Sequence, residues 1–106
     1  MYAIIRRYRT SSVKRVVRKI EQDFLPVISS APGFVAYYVV DEGQNIQSSI
    51  SIFADQASAE YSNRLAAAFV REHPTALPET PDISAGEVLL YRSESGEEFK
   101  PTAAAI

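Results

Sequence analysis

The sequence predicts an α+β domain, a four-stranded antiparallel sheet with two helices on one of its faces. Three observations carry this. Six segments follow one another in the order strand, helix, strand, strand, helix, strand. The two helical segments space their apolar residues three and four apart, which gives each a single buried stripe. The strand after Pro32-Gly33, Phe34 to Val40, is apolar on both faces. A sheet with one wet face should alternate apolar with polar residues, so both sides of this strand should be covered. Two helices cover one side, and a second copy of the chain is the simplest cover for the other.

The elements follow in order. Tyr2 to Arg9 is rich in aromatic and β-branched residues and reads as a strand. Thr10-Ser11-Ser12 offers hydroxyl N-caps. The helix behind it carries Val13, Val16, Val17, Ile20, Phe24, Val27 and Ile28 as one stripe, with Lys14, Arg15, Arg18, Glu21 and Gln22 opposite. Pro26 lies inside this pattern. Proline removes a helix hydrogen bond and clashes with the preceding turn, so a kink is expected near Gln22 to Leu25, with the stripe resuming at Val27 and Ile28. Pro32-Gly33 stops the helix. In the next strand, Phe34, Ala36, Tyr38 and Val40 should point one way and Val35, Tyr37 and Val39 the other. Asp41 to Asn45 has the composition of a hairpin loop. Ile46 to Ala54 alternates, with Ile46, Ser48, Ile50 and Ile52 on one face and Gln47, Ser49, Ser51 and Phe53 on the other. Asp55 should cap the second helix. There Ser62, Leu65, Ala66, Phe69 and His73 share the inward arc, and Glu60, Arg64, Ala67 and Arg71 lie opposite, before Pro74 ends the pattern. Thr75 to Ile83, with Pro78 and Pro81, reads as an extended loop. Glu87 to Arg92 is the expected fourth strand. The domain is expected to span 1–93, with 94–106 a polar tail, flexible or contacting a partner, whose large apolar anchors are Phe99 and Ile106.

Composition narrows the chemistry. The chain has 106 residues, a net charge of −2, no cysteine and one histidine. That length fits one domain. The absence of cysteine excludes disulfide and thiol chemistry. One histidine without clustered carboxylates disfavours a metal site or a nucleophilic triad. No run approaches the ~20 apolar residues of a membrane span, and charge follows Met1-Tyr2-Ala3-Ile4-Ile5 too soon for a signal peptide. A cytoplasmic location is the default expectation. The first twenty residues hold Arg6, Arg7, Arg9, Lys14, Arg15, Arg18 and Lys19 and no acid. This reads as a solvated strand end and helix face, or as an anion site at the first helix start.

The element order is the split βαβ arrangement of the ferredoxin-like fold, which leaves one sheet face bare. RNA-recognition domains share that order and stack bases on aromatics of the third strand. Here Phe53 is the one aromatic on that strand, so nucleic acid is not an expected partner.

The opening strand Met1-Tyr2-Ala3-Ile4-Ile5, Leu25-Pro26, the Ala31-Pro32-Gly33-Phe34 junction and the stretch Asn63 to His73 (NRLAAAFVREH) together resemble the antibiotic biosynthesis monooxygenase superfamily of dimeric α+β barrels, over about residues 2 to 92. The resemblance implies a homodimer with sheets packed face to face and a small-molecule cleft between sheet and helices in each subunit. It implies the chemistry of cofactor-independent oxygenases or of haem-degrading enzymes. The chain has no tryptophan, whereas the best-known sites of that superfamily combine Asn with Trp, joined by Arg or His, so haem degradation is not the expected reaction. The expected function is oxygenation of a small aromatic or enolic substrate without cofactor, and the alternative is a non-catalytic dimeric binding module. Asn63 and His73 are the catalytic candidates, and Tyr37, Tyr38 and Arg64 the substrate-binding ones. Each has a plainer role available: a helix-end cap for His73, helix surface for Asn63, packing for the tyrosines. Arg6 or Arg7 would reach an acidic group across the dimer seam.

Overall fold

The computed structural model describes residues 1–96 and the backbone of Glu98 and Phe99. Strands β1 (Tyr2–Arg9), β2 (Phe34–Gly43), β3 (Ile46–Phe53) and β4 (Asp82–Glu87) form one antiparallel sheet in the order β2-β3-β1-β4. Helices α1 (Val13–Lys19), α2 (Leu25–Ser29) and α3 (Gln56–Glu72) lie over one face of that sheet. The expected ferredoxin-like α+β architecture is present.

The kink expected at Pro26 is a π-helical turn, Ile20–Phe24, that joins α1 to α2. Its closing bond runs from the Leu25 N–H back five residues to the Ile20 carbonyl. Widening the turn relieves the clash that a proline ring makes with the carbonyl four residues earlier. It also serves packing. The buried residues are Val16, Ile20, Phe24 and Ile28, each four apart. In a straight α-helix such residues drift by about 40° per step, and the wide turn takes up part of that drift. Val27 does not continue the stripe, being 47% exposed.

Gly33 closes the turn between α2 and β2 with φ +75°, and its carbonyl accepts from the Ala54 N–H at 2.7 Å. A Cβ there would stand 2.5 Å from Ser58 Oγ and 2.8 Å from Ser58 Cβ. Ser58 is fixed in the first turn of α3, where its N–H donates to Asp55 Oδ1 at 2.8 Å. Gly33→Ala is therefore expected to cost about 2 kcal/mol or more, from the left-handed backbone and the overlap together. A denaturant titration reads this directly.

Strand β2 departs from simple alternation. A bulge between Phe34 and Ala36 puts Phe34 on the inner face with Tyr37 and Val39, not with Ala36, Tyr38 and Val40. The extra residue changes the parity. The hairpin loop is also tighter than its composition implies. Pairing continues to Gly43, and the turn is Gln44-Asn45, with φ 55° and 62°, the I′ geometry that fits strand twist.

The fourth strand is Asp82–Glu87, not Glu87 to Arg92, so Ile83 belongs to the sheet and the loop is shorter than expected. The reason is its partner. β4 runs antiparallel to β1, Tyr2 faces Glu87, and the last bond is from the Val88 N–H to the Met1 carbonyl at 2.9 Å. The β1–β4 ladder ends there among the described residues. Leu89 and Leu90, which looked like strand interior, are 56% and 67% exposed. Tyr91–Arg92 (β5) instead pairs with Glu98–Phe99 (β6), a ribbon that straddles the boundary expected at residue 93. The remainder of the tail, with Ile106 and the side chain of Phe99, lies outside the described residues.

The two faces of β3 are inverted relative to a sheet with a greasy core and a wet exterior. Gln47, Ser49, Ser51 and Phe53 are buried toward the helices. Ile50 and Ile52 lie on the open face, paired with Tyr38 and Ala36 of β2 and with Ile5 and Ala3 of β1. On that face Ile5 is 44%, Tyr38 55% and Val40 43% exposed. A polar cluster of Arg7, Ser48 and Glu42 stands at its edge, with Arg7 Nε 3.2 Å from Glu42 Oε1.

Candidate active site

The inner face of the sheet carries polar side chains because β1 and β3 alternate in phase. Ile4, Arg6 and Tyr8 point inward from β1, and Arg6 is opposite Ser49 and Tyr8 opposite Gln47. Tyr37 joins them from β2. Helix α3 lies across this row with Ala59, Ser62, Ala66 and Phe69 buried. Alanines at closest approach leave room, and the room is a cleft of about 390 Å³, within the usual range for small-molecule sites. Arg6, Tyr8 and Asn63 supply its polar groups. Ala66, Val70, Leu77 and Ile83 supply apolar wall, and the proline-rich segment 74–81 closes one side. Arg9 Nε stands 3.8 Å from Glu79 Oε2, which ties that segment to β1.

Arg6 is the centre of the site. It is 2% exposed. Its Nη2 donates to Asn63 Oδ1, and among the described residues no carboxylate lies within ion-pair distance of it. Burial pulls its pKa below the ordinary value, while Tyr8 and Tyr37 act in the opposite sense. A guanidinium still keeps its charge in a protein. A buried charge without a counter-ion costs several kcal/mol, and the side-chain partner that Arg6 has here is the neutral amide of Asn63.

Two phenols stand beside it. Burial pushes Tyr37 up to about 12, with Tyr8 adding to the effect, while a hydrogen bond with Ser49 works against it. Burial raises Tyr8 as well, against the pull of Arg6 and of its own bond with Ser49. At neutral pH both are hydrogen-bonding groups and neither is a base. The linkage has a definite sign. Phenols in the unfolded chain titrate near 10, so the unfolded state releases its proton first as pH rises. The stability from the buried neutral Tyr37 is intact below about pH 10 and is lost as pH climbs toward about 12. The loss is about 2 kcal/mol over that window. Unfolding measured from pH 9 to 12 should show this decline, and Tyr37→Phe should make it shallower.

The structure places the expected residues as follows. Asn63 lies in the cleft, holding Arg6. Tyr37 faces inward and packs edge-on to Phe24, with centroids 5.8 Å apart. Tyr38 stands on the open face, away from the cleft, because it is the neighbour of Tyr37 in an alternating strand. Arg64 is exposed and does not line the cleft. One turn later, Ala67 and Arg71, which the helical wheel put on the outer side, stand at the cleft rim. His73 is not in the cleft either. Its Nδ1 donates to the Phe69 carbonyl at 2.8 Å, its Nε2 is 3.4 Å from Asp23 Oδ2, and its ring stacks on Phe69 at 4.2 Å. These contacts close the end of α3. Arg7 reaches an acid within its own chain, Glu42.

Arg6 and Tyr8, polar groups of the cleft, went unassigned from sequence, as did Gln47 and Ser49 opposite them on the inner face of β3. The signal for Arg6 was its parity with Ile4 and Tyr8, which made it an inward arginine. The basic first turn of α1 has Ser12 as its cap, accepting from the Arg15 N–H. Among the described residues no three His, Asp or Glu side chains gather as metal ligands, and no helix is long and apolar enough to cross a membrane.

No protein-family model matches the chain, and no curated protein matches it. Solved structures do. A protein of unknown function from Nitrosomonas europaea superposes with a TM-score of 0.72 at 21% identity, covering 90% of this chain and 95% of that one. A candidate antibiotic biosynthesis monooxygenase from Chloroflexus aurantiacus gives 0.61 at 14% identity, over 83% and 92%. SnoaB, a cofactor-independent oxygenase from Streptomyces nogalater, gives 0.54 at 19% identity, over 80% and 87%. The fold of this chain is the one these proteins share.

Proposed function

We propose that this chain, an antibiotic biosynthesis monooxygenase-like fold with an acid-free arginine at the floor of its cleft, binds the anion of a small phenol or enol and presents it to dioxygen. The observation that carries the reading is the burial of Arg6 with Asn63 as its polar partner. A positive, water-poor site lowers the cost of forming a phenolate or enolate, and the preorganised guanidinium meets the charge where it develops. In the oxygenation, the ionised substrate carbon transfers electrons to dioxygen and forms a C–O bond. With a methylene substrate the peroxide takes up the proton that the substrate released, and the resulting hydroperoxide breaks its O–O bond and loses the remaining C–H proton to give a ketone and water, so one dioxygen is consumed for each carbonyl formed and each water released. SnoaB is a neighbour whose name states oxygenation without a cofactor.

The functional unit is a homodimer that buries the open sheet faces against each other. Ile5, Tyr38 and Val40, all exposed and all on the open face with Ile50 and Ile52, make that face apolar, which is the character of an interaction surface.

A second reading, a non-catalytic binding module, is favoured by the position of His73, which is committed to Phe69 and leaves the cleft without an imidazole base. An oxygen electrode separates the two. With anthrone as substrate, uptake above the spontaneous rate and matching anthraquinone formation support the oxygenase. Saturable binding without uptake leaves the module.

A further inference from the structure

We propose that Gln47 reads a single oxygen substituent on the ligand, at a second polar position behind Tyr8. The proposal rests on the anion-binding reading of the cleft and adds a specificity determinant to it.

A small chamber of about 10 Å³ lies between the sheet and the helices, enclosed by Tyr8, Tyr37, Gln47, Phe24 and Phe69 among others. It shares Tyr8, Ala66 and Leu77 with the larger cleft, so the two spaces adjoin at these residues. The side chain of Gln47 borders it, is completely buried, and has no hydrogen-bond partner at either Nε2 or Oε1. A buried amide without partners destabilises a fold. Apolar side chains of similar volume were available to the same strand, so the amide needs a purpose. Ser51 Oγ is also unpartnered, but Ser51 does not border the chamber.

The dimensions define the ligand group. A volume of about 10 Å³ admits one water-sized group, which fits a hydroxyl or a carbonyl oxygen and excludes a carboxylate or a ring. An amide offers one acceptor and two donors, so a hydroxyl satisfies it both ways. Gln47 lies opposite Tyr8, two residues along from Arg6. Diagonal neighbours in an antiparallel pair are about 7–8 Å apart. Two inward side chains at that backbone spacing can each meet one oxygen of a fused bicyclic or tricyclic aromatic, the acidic one at Arg6 and the neutral one at Gln47.

The test is a fluorescence titration of two probes that differ by one group, 1,5-dihydroxynaphthalene and 5-methyl-1-naphthol, against the wild type, Gln47→Met and Arg6→Met. The wild type should prefer the dihydroxy compound roughly tenfold or more, because the methyl analogue leaves the amide unpaired. In Gln47→Met the preference should collapse to about threefold or less, with a melting temperature no lower than the wild type. A preference that survives Gln47→Met overturns the proposal, as does a wild type without preference. A variant that melts lower or fails to fold also overturns it, because Gln47 would then be holding the fold together. If neither probe binds the wild type, the cleft reading falls first. If both bind and only Arg6→Met weakens them, the cleft reading stands and the role of Gln47 falls alone.

Discussion

Arg6→Met is expected to weaken binding of an acidic phenol by roughly thirtyfold or more and to abolish any oxygen uptake, while the folded protein becomes no less stable. The binding loss follows from removing one member of a buried, charge-assisted pair, which costs about 2–5 kcal/mol, and each 1.4 kcal/mol is tenfold. The stability follows from the opposite side of the same fact. In the free protein Arg6 is buried with Asn63 as its neutral partner and no carboxylate within ion-pair distance among the described residues. Methionine fills similar space without a charge to desolvate, and such exchanges are often neutral or stabilising. The two readouts are a ligand titration at a pH where the phenol is partly ionised and thermal unfolding without ligand. Loss of binding at unchanged or raised stability is the signature of a site residue. Loss of both together would make Arg6 a structural member of the core and would remove the basis of the functional reading.

Tyr38→Glu is expected to convert a dimer into a monomer. Tyr38 sits in the middle of the open face and is 55% exposed in the single chain, so a carboxylate there is hydrated and the subunit fold is undisturbed. A two-fold interface would bring two such carboxylates into an apolar seam, where each loses several kcal/mol of solvation. Light scattering at micromolar concentration should give twice the chain mass for the wild type and one chain mass for the variant, with unchanged far-ultraviolet circular dichroism. A wild type that is already monomeric at that concentration would end the dimer proposal.

Much of the architecture was legible because it is written in local chemistry. Ser12 and Asp55 announce the helix starts, Pro32-Gly33 announces a stop, and the stripes of α1 and α3 have helical spacing. What failed was of three kinds. Parity was lost at the Phe34–Ala36 bulge, because a bulge leaves no mark in composition. The fourth strand was misplaced because its position is set by where β1 begins, a non-local constraint, while the apolar run at Val88 to Leu90 offered a stronger local signal. The site was half found. Asn63 was singled out as a catalytic candidate alongside the family resemblance, but its partner Arg6 was read as a charge on a strand end. Two facing rows, Gln47-Ser49-Ser51 and Ile46-Ile50-Ile52, were separated correctly, yet nothing in an alternating strand says which row goes inside. Ordinary patterning would send the isoleucines in. They face outward because Arg6, Tyr8 and Tyr37 occupy the interior, and that is decided by three strands jointly.

The irregularities at both ends of β2 have a consequence for how this molecule meets others. β2 is an outer strand of the sheet, and an outer strand is a template on which further strands can grow. Here the pairing is broken between Phe34 and Ala36 and again between Asp41 and Gly43, so the regular stretch is short and its flanks are twisted out of plane. The opposite margin, β4, carries Asp82 and Glu87 at its two tips. Lateral growth into a ribbon or fibril is thus discouraged on both sides. In the proposed homodimer, self-association uses the open sheet face instead, where a two-fold axis would consume the sticky area in a single step and terminate.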